Sequence, residues 1–221
     1  MRVGFRNEEK IVTQPAPAGD TIVRTLFIKG FGTMPLLAPA LLTTEEQLIP
    51  ALAAAQTEGL IEPKGVMYRL TAVGKAKGEE LMAADRAAWG DSAANAALDG
   101  FVLLDHRMKE VVTAWQMREV GGSQVINDHT DTFYDAGVLA SFATLHTDAA
   151  AWLDPYTKGL PRLGDYAARL TSAAAQVAAG DHTFIASPRV DSYHTIWFEL
   201  HEDLIRLAGR TREDEVAAGR A

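Results

Sequence analysis

The chain contains no cysteine among its 221 residues. This absence excludes disulfide bonds, a thiolate nucleophile and thiolate metal ligands. No apolar run approaches the roughly 20 residues that a membrane-spanning helix needs. The N-terminal sequence also lacks the apolar centre of a signal peptide. We therefore expect a cytoplasmic protein without a membrane partner.

Positive charge is scarce, because 21 Lys and Arg stand against 29 Asp and Glu, and the net charge is −8. Residues 1–90 carry 10 basic and 10 acidic side chains, whereas residues 91–221 carry 11 basic and 19 acidic ones. Because DNA phosphates repel acidic surfaces, we expect any DNA to meet the first segment. The composition, with 48% hydrophobic residues, is otherwise that of a globular protein with a substantial core.

The first 90 residues carry a succession of helix signals. An apolar segment, Thr21–Lys29, follows the capping residue Asp20 and ends at Gly30-Phe31-Gly32. A second helix is expected from Thr33, because Pro35 would then lie in the first turn, where its missing N–H does no harm.

A third helix and two strands are predicted next. The run Thr43-Thr44-Glu45-Glu46-Gln47 is typical of a capping box, in which a hydroxyl is followed three residues later by Glu or Gln. This helix ends at Gly59. Residues 60–63 and 66–70 have the pattern of two short strands joined by a turn, and Thr71 caps a closing helix that extends to about residue 84.

This order resembles the MarR-type winged-helix regulators. The most specific similarity is Glu58-Gly59-Leu60-Ile61, followed by Tyr68-Arg69-Leu70-Thr71 and Gly74, and the resemblance covers roughly a third of the chain. It implies that the third helix enters the DNA major groove and that the wing contacts the backbone. The DNA-binding residues implied by the resemblance are Thr43, Thr44, Gln47, Lys64, Tyr68 and Arg69.

The third helix departs from this pattern because it carries no positive charge. No Lys or Arg lies between Glu45 and Glu58, and Pro50 lies inside the helix. Phosphate neutralisation supplies most of the non-specific affinity of DNA-binding proteins. Two interpretations therefore remain open: a module that reads DNA, or a winged helix used for dimerisation or docking.

After residue 90 the pattern changes to long, alanine-rich amphipathic helices that predict an antiparallel bundle or an irregular helical domain. The predicted helices cover about residues 92–119, 130–153, 160–180 and 188–207, with Pro155 ending the second. The predicted fold class is therefore mainly α. We divide the chain into a leader (1–19), a winged helix-turn-helix domain (20–90), a four-helix, bundle-like sensor or dimerisation domain (91–208) and a flexible tail (209–221).

All six histidines lie after residue 90, and the densest cluster of polar and aromatic residues is 191–203. A second polar cluster covers residues 127–131. Three explanations remain open: a buried hydrogen-bond network, a pocket for a small organic or anionic effector, or a metal or acid–base site. The residues proposed for the effector pocket are His129, Tyr134, His146, Tyr193, His194, Trp197 and His201.

Motifs of catalysis or metal binding are missing from the sequence. Only Asp191-x-x-His194 has the spacing of a di-metal pair, and His201-Glu202 lacks the second His of a zinc protease. We predict no metal, cofactor or catalytic residue. The sequence favours a ligand-responsive, homodimeric transcription regulator that binds double-stranded DNA. The alternative is a winged-helix protein that binds a small molecule or an enzyme partner instead of DNA, and an enzyme is the least favoured class.

Overall fold

The computed structural model describes residues 17–219. This part of the chain is mainly helical, with 71% helix in ten helices and a small antiparallel sheet, which confirms the predicted mainly-α class. No helix within residues 17–219 has both the length and the apolar character needed to cross a membrane. Most of the predicted leader, residues 1–16, and the last two residues of the predicted tail lie outside the described residues.

The N-terminal segment combines four helices with a three-stranded sheet. The central strand of this sheet is the last one in sequence, and it is antiparallel to both of its neighbours, so that the order is β1-β3-β2. One strand was not predicted, since residues 31–33 pair with the sheet instead of only separating two helices. The elements are α1 (Gly19–Lys29), β1 (Phe31–Thr33), α2 (Met34–Ala40), α3 (Glu45–Thr57), β2 (Ile61–Lys64), β3 (Met67–Leu70) and α4 (Ala72–Trp89).

Capping side chains set the starts of α3 and α4. The Thr44 hydroxyl accepts a hydrogen bond from the Gln47 backbone N–H, and the Gln47 side chain accepts one from the Thr44 backbone N–H, which completes the predicted capping box. The Thr71 hydroxyl accepts from the Gly74 N–H at the start of α4. Each cap satisfies backbone donors that have no partner within the first turn of a helix.

The C-terminal segment contains four long helices that contact one another in a ring. Helix α5 packs on α6, α6 on α7, α7 on α9, and α9 again on α5. The elements are α5 (Asp91–Gln116), β4 (Met117–Val120), β5 (Ser123–Ile126), α6 (Thr132–Gly159), α7 (Leu163–Ala178), α8 (Thr183–Ala186) and α9 (Tyr193–Leu207).

A β-hairpin replaces the predicted end of the first long helix. We expected helix as far as residue 119, but α5 ends at Gln116 and β4 pairs with β5. The turn residues Gly121 and Gly122 have φ values of 61° and 81°. Positive φ at both positions is what a two-residue hairpin turn of the favoured twist requires. The helical prediction was wrong here because the glycine pair closes a hairpin instead of only ending a helix.

Helix α6 continues through Pro155, where the sequence predicted its end. A proline inside a helix removes one hydrogen bond and crowds the preceding turn. Aromatic packing on both sides offsets this cost: the Trp152 ring lies 5.5 Å from Phe101, and the Tyr156 ring lies 5.9 Å from Trp89. Tertiary contacts therefore decide the length of this helix, as they do for most helices in proteins.

Part of the predicted flexible tail is a short helix, α10 (Arg212–Ala217). Thr211 and Asp214 form a capping box at its start, and the buried Glu215 pairs with Arg210. The sequence did not reveal this cap because Asp214 occupies the position that Glu or Gln usually takes.

Helices α1 and α4 join the N-terminal segment to the C-terminal one, since both contact α9. Phe27 of α1 packs against the hydrophobic cores of both segments. The Arg206 guanidinium of α9 lies 4.6 Å from the centre of the Phe27 ring. The first segment is thus attached along the length of α9 by both apolar and charged contacts.

Two glycines in first helical turns provide a matched test of this packing. Replacing a helical glycine by alanine usually stabilises a protein by about 0.5–1 kcal/mol. A Cβ at Gly74 would lie 1.9 Å from the Leu60 carbonyl oxygen, whereas a Cβ at Gly164 would meet nothing within 4 Å. We expect Gly74→Ala to lower the free energy of unfolding by about 1–3 kcal/mol and Gly164→Ala to raise it, both measured by urea denaturation. Equal effects would contradict the close approach of α4 to Leu60.

Candidate functional site

The residues implied for DNA contact occupy two places in the N-terminal segment. Thr43, Thr44 and Gln47 lie together at the start of α3, while Lys64, Tyr68 and Arg69 belong to the β2–β3 hairpin. Thr44 is exposed, and Gln47 and Tyr68 are half-buried.

The polar groups at the start of α3 are already engaged with one another. The Thr43 hydroxyl donates to the Gln47 Oε1 at 2.9 Å, and the Thr44 backbone N–H reaches the same oxygen at 3.4 Å. Reading an adenine with Gln uses both the oxygen and the nitrogen of its amide. Gln47 would therefore have to leave the capping box to contact a base in this way.

Most positive charges of the N-terminal segment are neutralised by acidic neighbours. Of the seven Lys and Arg side chains in residues 17–90, five form ion pairs within the described residues. One of them is Arg69, which lies 2.7 Å from Glu62. Lys64, at the end of β2, and Lys75, in the first turn of α4, form no ion pair with residues 17–219. Among residues 17–90, these two lysines are therefore the cations most available to a phosphate.

The exposed surface of α3 is acidic and apolar. Glu45 and Glu46 occupy its first turn, and Ile49 is 56% exposed beside the exposed Pro50. Negative charge at a helix N-terminus complements the helix dipole, but it also repels a phosphate from that end.

Four residues of the predicted effector pocket lie together in the core of the C-terminal segment. The rings of Tyr193 and Trp197 are stacked at 6.0 Å, Trp197 stacks on Phe101 at 4.7 Å, and Phe101 lies 4.9 Å from His201. The hydroxyl of Tyr193 is 3.3 Å from Nδ1 of His146. These side chains form one continuous aromatic stack between α5, α6 and α9.

A buried carboxylate supports this aromatic stack. Asp105 of α5 accepts a hydrogen bond from the Trp197 indole N–H at 3.0 Å and pairs with Lys109 at 2.9 Å. Burial lowers the pKa of His201, with Asp105 opposing and the nearby Arg212 and Lys109 reinforcing the shift. The Nε2 atom of His201 is buried and has no hydrogen-bond partner within residues 17–219. A neutral imidazole therefore occupies this position.

His129 lies apart from that stack, at the other polar cluster. Its Nδ1 is 3.0 Å from a carboxylate oxygen of Asp135, and its ring lies 4.3 Å from Trp115. The buried Asn127 donates to Asp135 at 2.8 Å and to the Trp115 carbonyl at 3.2 Å. His129 has a φ of 59°, a left-handed conformation that is uncommon outside glycine and costs free energy. Trp115, His129, Asp135 and His182 border a groove of about 620 Å³.

Tyr134 and His194 have different surroundings again. The hydroxyl of Tyr134 donates to the carbonyls of Ala114 and Met117 at 3.0 and 3.1 Å, and its ring borders a second groove between α5 and α6. His194 is exposed on α9. The seven residues predicted to line one pocket are thus distributed over the aromatic stack, two grooves and an exposed position.

A network of largely buried ion pairs, which the sequence did not indicate, joins helices of both segments. Arg162 donates to Asp85 of α4 at 2.8 Å and binds Asp203 of α9 with two nitrogens, one of them at 2.9 Å. Arg24 of α1 forms a bidentate ion pair with the same Asp85, at distances of 2.9 and 3.0 Å. The Tyr166 hydroxyl donates to Asp203 at 3.0 Å. These contacts connect both segments of the chain.

A second part of this network lies beside the first. Arg169 of α7 binds Asp191 through two nitrogens and Glu199 through one, at 2.6 to 2.9 Å. Lys29 of α1 pairs with Glu199 from the other side. All four side chains are at most 8% exposed. We use the name ion-pair network for both parts together.

The ion-pair network shifts the pKa values of two of its members. Burial, together with the charges of Asp203 and Glu199, raises the pKa of Tyr166 well above its ordinary value. Burial tends to lower the pKa of Arg162, but Asp203, Tyr166 and Asp85 outweigh it and raise that pKa. Tyr166 therefore stays neutral and Arg162 stays charged.

One sequence signal could have indicated this network. Arg162, Tyr166 and Arg169 recur at i, i+4 and i+7, and Glu199 and Asp203 at i, i+4, so each set lies on one helical face. Charged residues with this spacing more often form a solvated surface, and their partners lie 22 to 170 residues away. The pairing could not be read from local sequence.

Within residues 17–219, no group of three or more acidic or histidine side chains is arranged to hold a metal ion. Comparison with protein-family models, curated proteins and solved structures finds no match to this chain.

The ion-pair network predicts a large difference between two Asp→Asn substitutions. Asp203 is fully buried and faces Arg162, whereas Asp154 pairs with Lys158 at a position where both side chains are more than 70% exposed. Removing one partner of a buried ion pair costs about 3–5 kcal/mol, and an exposed pair contributes less than about 1 kcal/mol. We expect Asp203→Asn to lower the free energy of unfolding by the larger amount and Asp154→Asn by the smaller. Similar values for both would contradict a network that stabilises the fold.

The buried histidines predict a stability that falls with acidification. Burial lowers the pKa values of His146 and His201 from the ordinary 6.5. Below about pH 6.5 the unfolded chain therefore binds more protons than the folded protein, and the free energy of unfolding decreases, by at most about 1.4 kcal/mol per pH unit and histidine.

We expect His201→Gln to reduce this pH dependence between pH 7.5 and 5.5, measured by urea denaturation at each pH. The exposed His106 of α5 provides the matched control, His106→Gln. If the two variants show the same slope as the unmodified protein, His201 does not remain neutral in the fold.

Proposed function

We propose that this protein is a DNA-binding transcription regulator of the winged-helix type, which functions as a homodimer and responds to a small molecule. The observation that carries this proposal is the topology of residues 19–89. Four helices and three strands follow one another in the order α1-β1-α2-α3-β2-β3-α4, and the sheet order is β1-β3-β2. This order supports the proposal, because in a winged helix the third helix and the β2–β3 wing would act together on one DNA duplex.

The position of α3 supports the role of a DNA-reading helix. Its main contacts are with α1, α2 and β2, all in its own segment. Leu48, Leu52 and Ala55 form its buried face, which leaves the opposite face to solvent. A helix held in this way is free to enter a major groove.

The phosphate contacts would come from the hairpin and from α4. Lys64 and Lys75 border the same shallow surface groove, together with Arg69 and the exposed Phe31. In a homodimer these two lysines provide four cations. This is a small number for a DNA-binding protein, so base contacts from the start of α3 would have to supply much of the affinity.

The groove beside His129 supports a small-molecule site. Ligand sites combine apolar and aromatic surface with a few converging polar groups. Trp115 and Leu139 supply the apolar part, and His129, Asp135 and His182 the polar part. An effector would bind here only if its affinity differed between two arrangements of the helices.

A second candidate function is a protein-docking module, and the surface of α3 is the observation that favours it. Glu45 and Glu46 are exposed beside Ile49 and Pro50, without a cation on this helix. An acidic and apolar helix suits a basic protein partner better than a phosphate backbone.

Salt-dependent binding to random-sequence duplex DNA distinguishes the two functions. For four released counterions, the slope of log K against log salt is about −3 to −4. We expect this slope for the unmodified protein, and a slope near zero with weak binding for the Lys64→Ala/Lys75→Ala variant. Lys158→Ala, at an exposed position of α6, is the control and should leave the slope unchanged. Absence of binding at low salt would reject DNA binding and favour docking.

A further inference from the structure

A groove of about 710 Å³ runs along the outer side of α5 and α6. Its α6 rim consists of the small residues Gly137, Ser141 and Thr144. Residues 136–147 of α6 contain no Lys, Arg, Asp or Glu, although charged residues make up 23% of the chain. The floor of the groove includes the buried Val111, Val138 and Leu145. The floor of the groove is therefore apolar, while Arg107, Glu110 and Asp131 supply charged groups at its border.

Large apolar side chains are exposed on both helices that form this groove. Leu103 of α5 is 76% exposed and Phe133 of α6 is 90% exposed. Leu103 lies on the α5 face that also carries Arg107, Glu110 and Ala114, because these residues recur at i, i+4, i+7 and i+11. This is the spacing of a helix that packs along another helix.

The α5 rim carries one positive and one negative side chain, one helical turn apart. Arg107 lies 2.8 Å from Asp148 of α6 but remains 39% exposed. Glu110 forms no ion pair with any residue between 17 and 219. The rim can therefore pair with another surface that places an anion opposite Arg107 and a cation opposite Glu110.

We propose that this face is a homodimer interface, in which α5 of one protomer lies antiparallel to α5 of its partner. A two-fold axis between residues 107 and 110 brings Arg107 of each protomer opposite Glu110 of the other. The same axis brings Leu103 opposite Ala114 of the partner, at the end of the groove that Phe133 borders. A two-fold interface requires a self-complementary surface of this kind.

Charge complementarity identifies a second copy of this chain as the occupant. Two proteins with a net charge of −8 repel each other, so they associate best where opposite charges meet, as Arg107 and Glu110 do across this axis. A small molecule in the groove would leave the protruding Leu103 uncovered. This interface rests on the homodimer of the proposed function but not on DNA binding. It can therefore be tested by measuring the mass of the protein in the absence of DNA.

Sedimentation velocity tests the interface. The unmodified protein is expected to sediment with twice the 23.9 kDa mass of one chain at about 10 µM, a concentration at which an interface of ordinary size is populated. Leu103→Glu should raise the dimer dissociation constant at least tenfold, since it places a charge in an apolar contact. Val73→Glu, at an exposed apolar position of α4, is the matched control and should remain dimeric. A monomeric unmodified protein, or a dimeric Leu103→Glu variant, overturns the proposal.

A charge exchange tests the predicted register. Arg107→Glu and Glu110→Lys should each weaken the dimer about tenfold, because each places two like charges opposite one another. The double variant restores both cross-pairs and should return to within about threefold of the unmodified protein. Circular dichroism and thermal melting establish that each variant is folded. A double variant as weak as the single ones overturns this arrangement of α5 helices.

Discussion

The arrangement of the two segments depends on buried charges that are satisfied only by one another. Arg162 binds Asp85 of α4 and Asp203 of α9, while Glu199 of α9 binds Lys29 of α1. An unpaired buried charge costs several kcal/mol. The first segment therefore cannot turn on α9 without losing several pairs at once. A network of this kind specifies one orientation, whereas an apolar contact between α1 and α9 would permit several.

This constraint determines how a change in the helical segment could reach α3. Helix α3 packs on α1, and α1 packs on α9, so α1 provides one route between α9 and α3. Because the ion-pair network joins α1 to α7 and α9, these three helices move together or the network breaks. Under the proposed function, an effector would act by favouring one of these two outcomes. The protein would then have two discrete arrangements, one with the network intact and one with it broken, as a conformational switch requires.

Local signals made the order of the N-terminal elements predictable. Thr44 and Thr71 cap the helices that the sequence assigned to them, because a cap uses residues three positions apart. Features that depend on distant residues were missed. Pro155 stays helical because aromatic side chains from other elements pack beside it, and the Arg162–Asp203 pair joins residues 41 positions apart. Four of the seven residues assigned to one pocket lie in the aromatic stack, and the other three lie elsewhere. The spacing of residues along α9 does not specify which side chains of α5 and α6 lie opposite them.

The dense polar sequence of α9 has a structural explanation. Ten of its 15 residues are buried, including Glu199, His201 and Asp203. A helix enclosed on most sides must satisfy its polar groups within the protein, so the carboxylates find Arg162, Arg169 and Lys29. In this protein, residue types that are typical of active sites therefore lie in the buried core around α9. Side chains that remain free to meet a partner lie on other elements, such as Ile49 of α3, Leu103 of α5 and Phe133 of α6. Recognition by this protein is thus to be sought on these helices and not on α9.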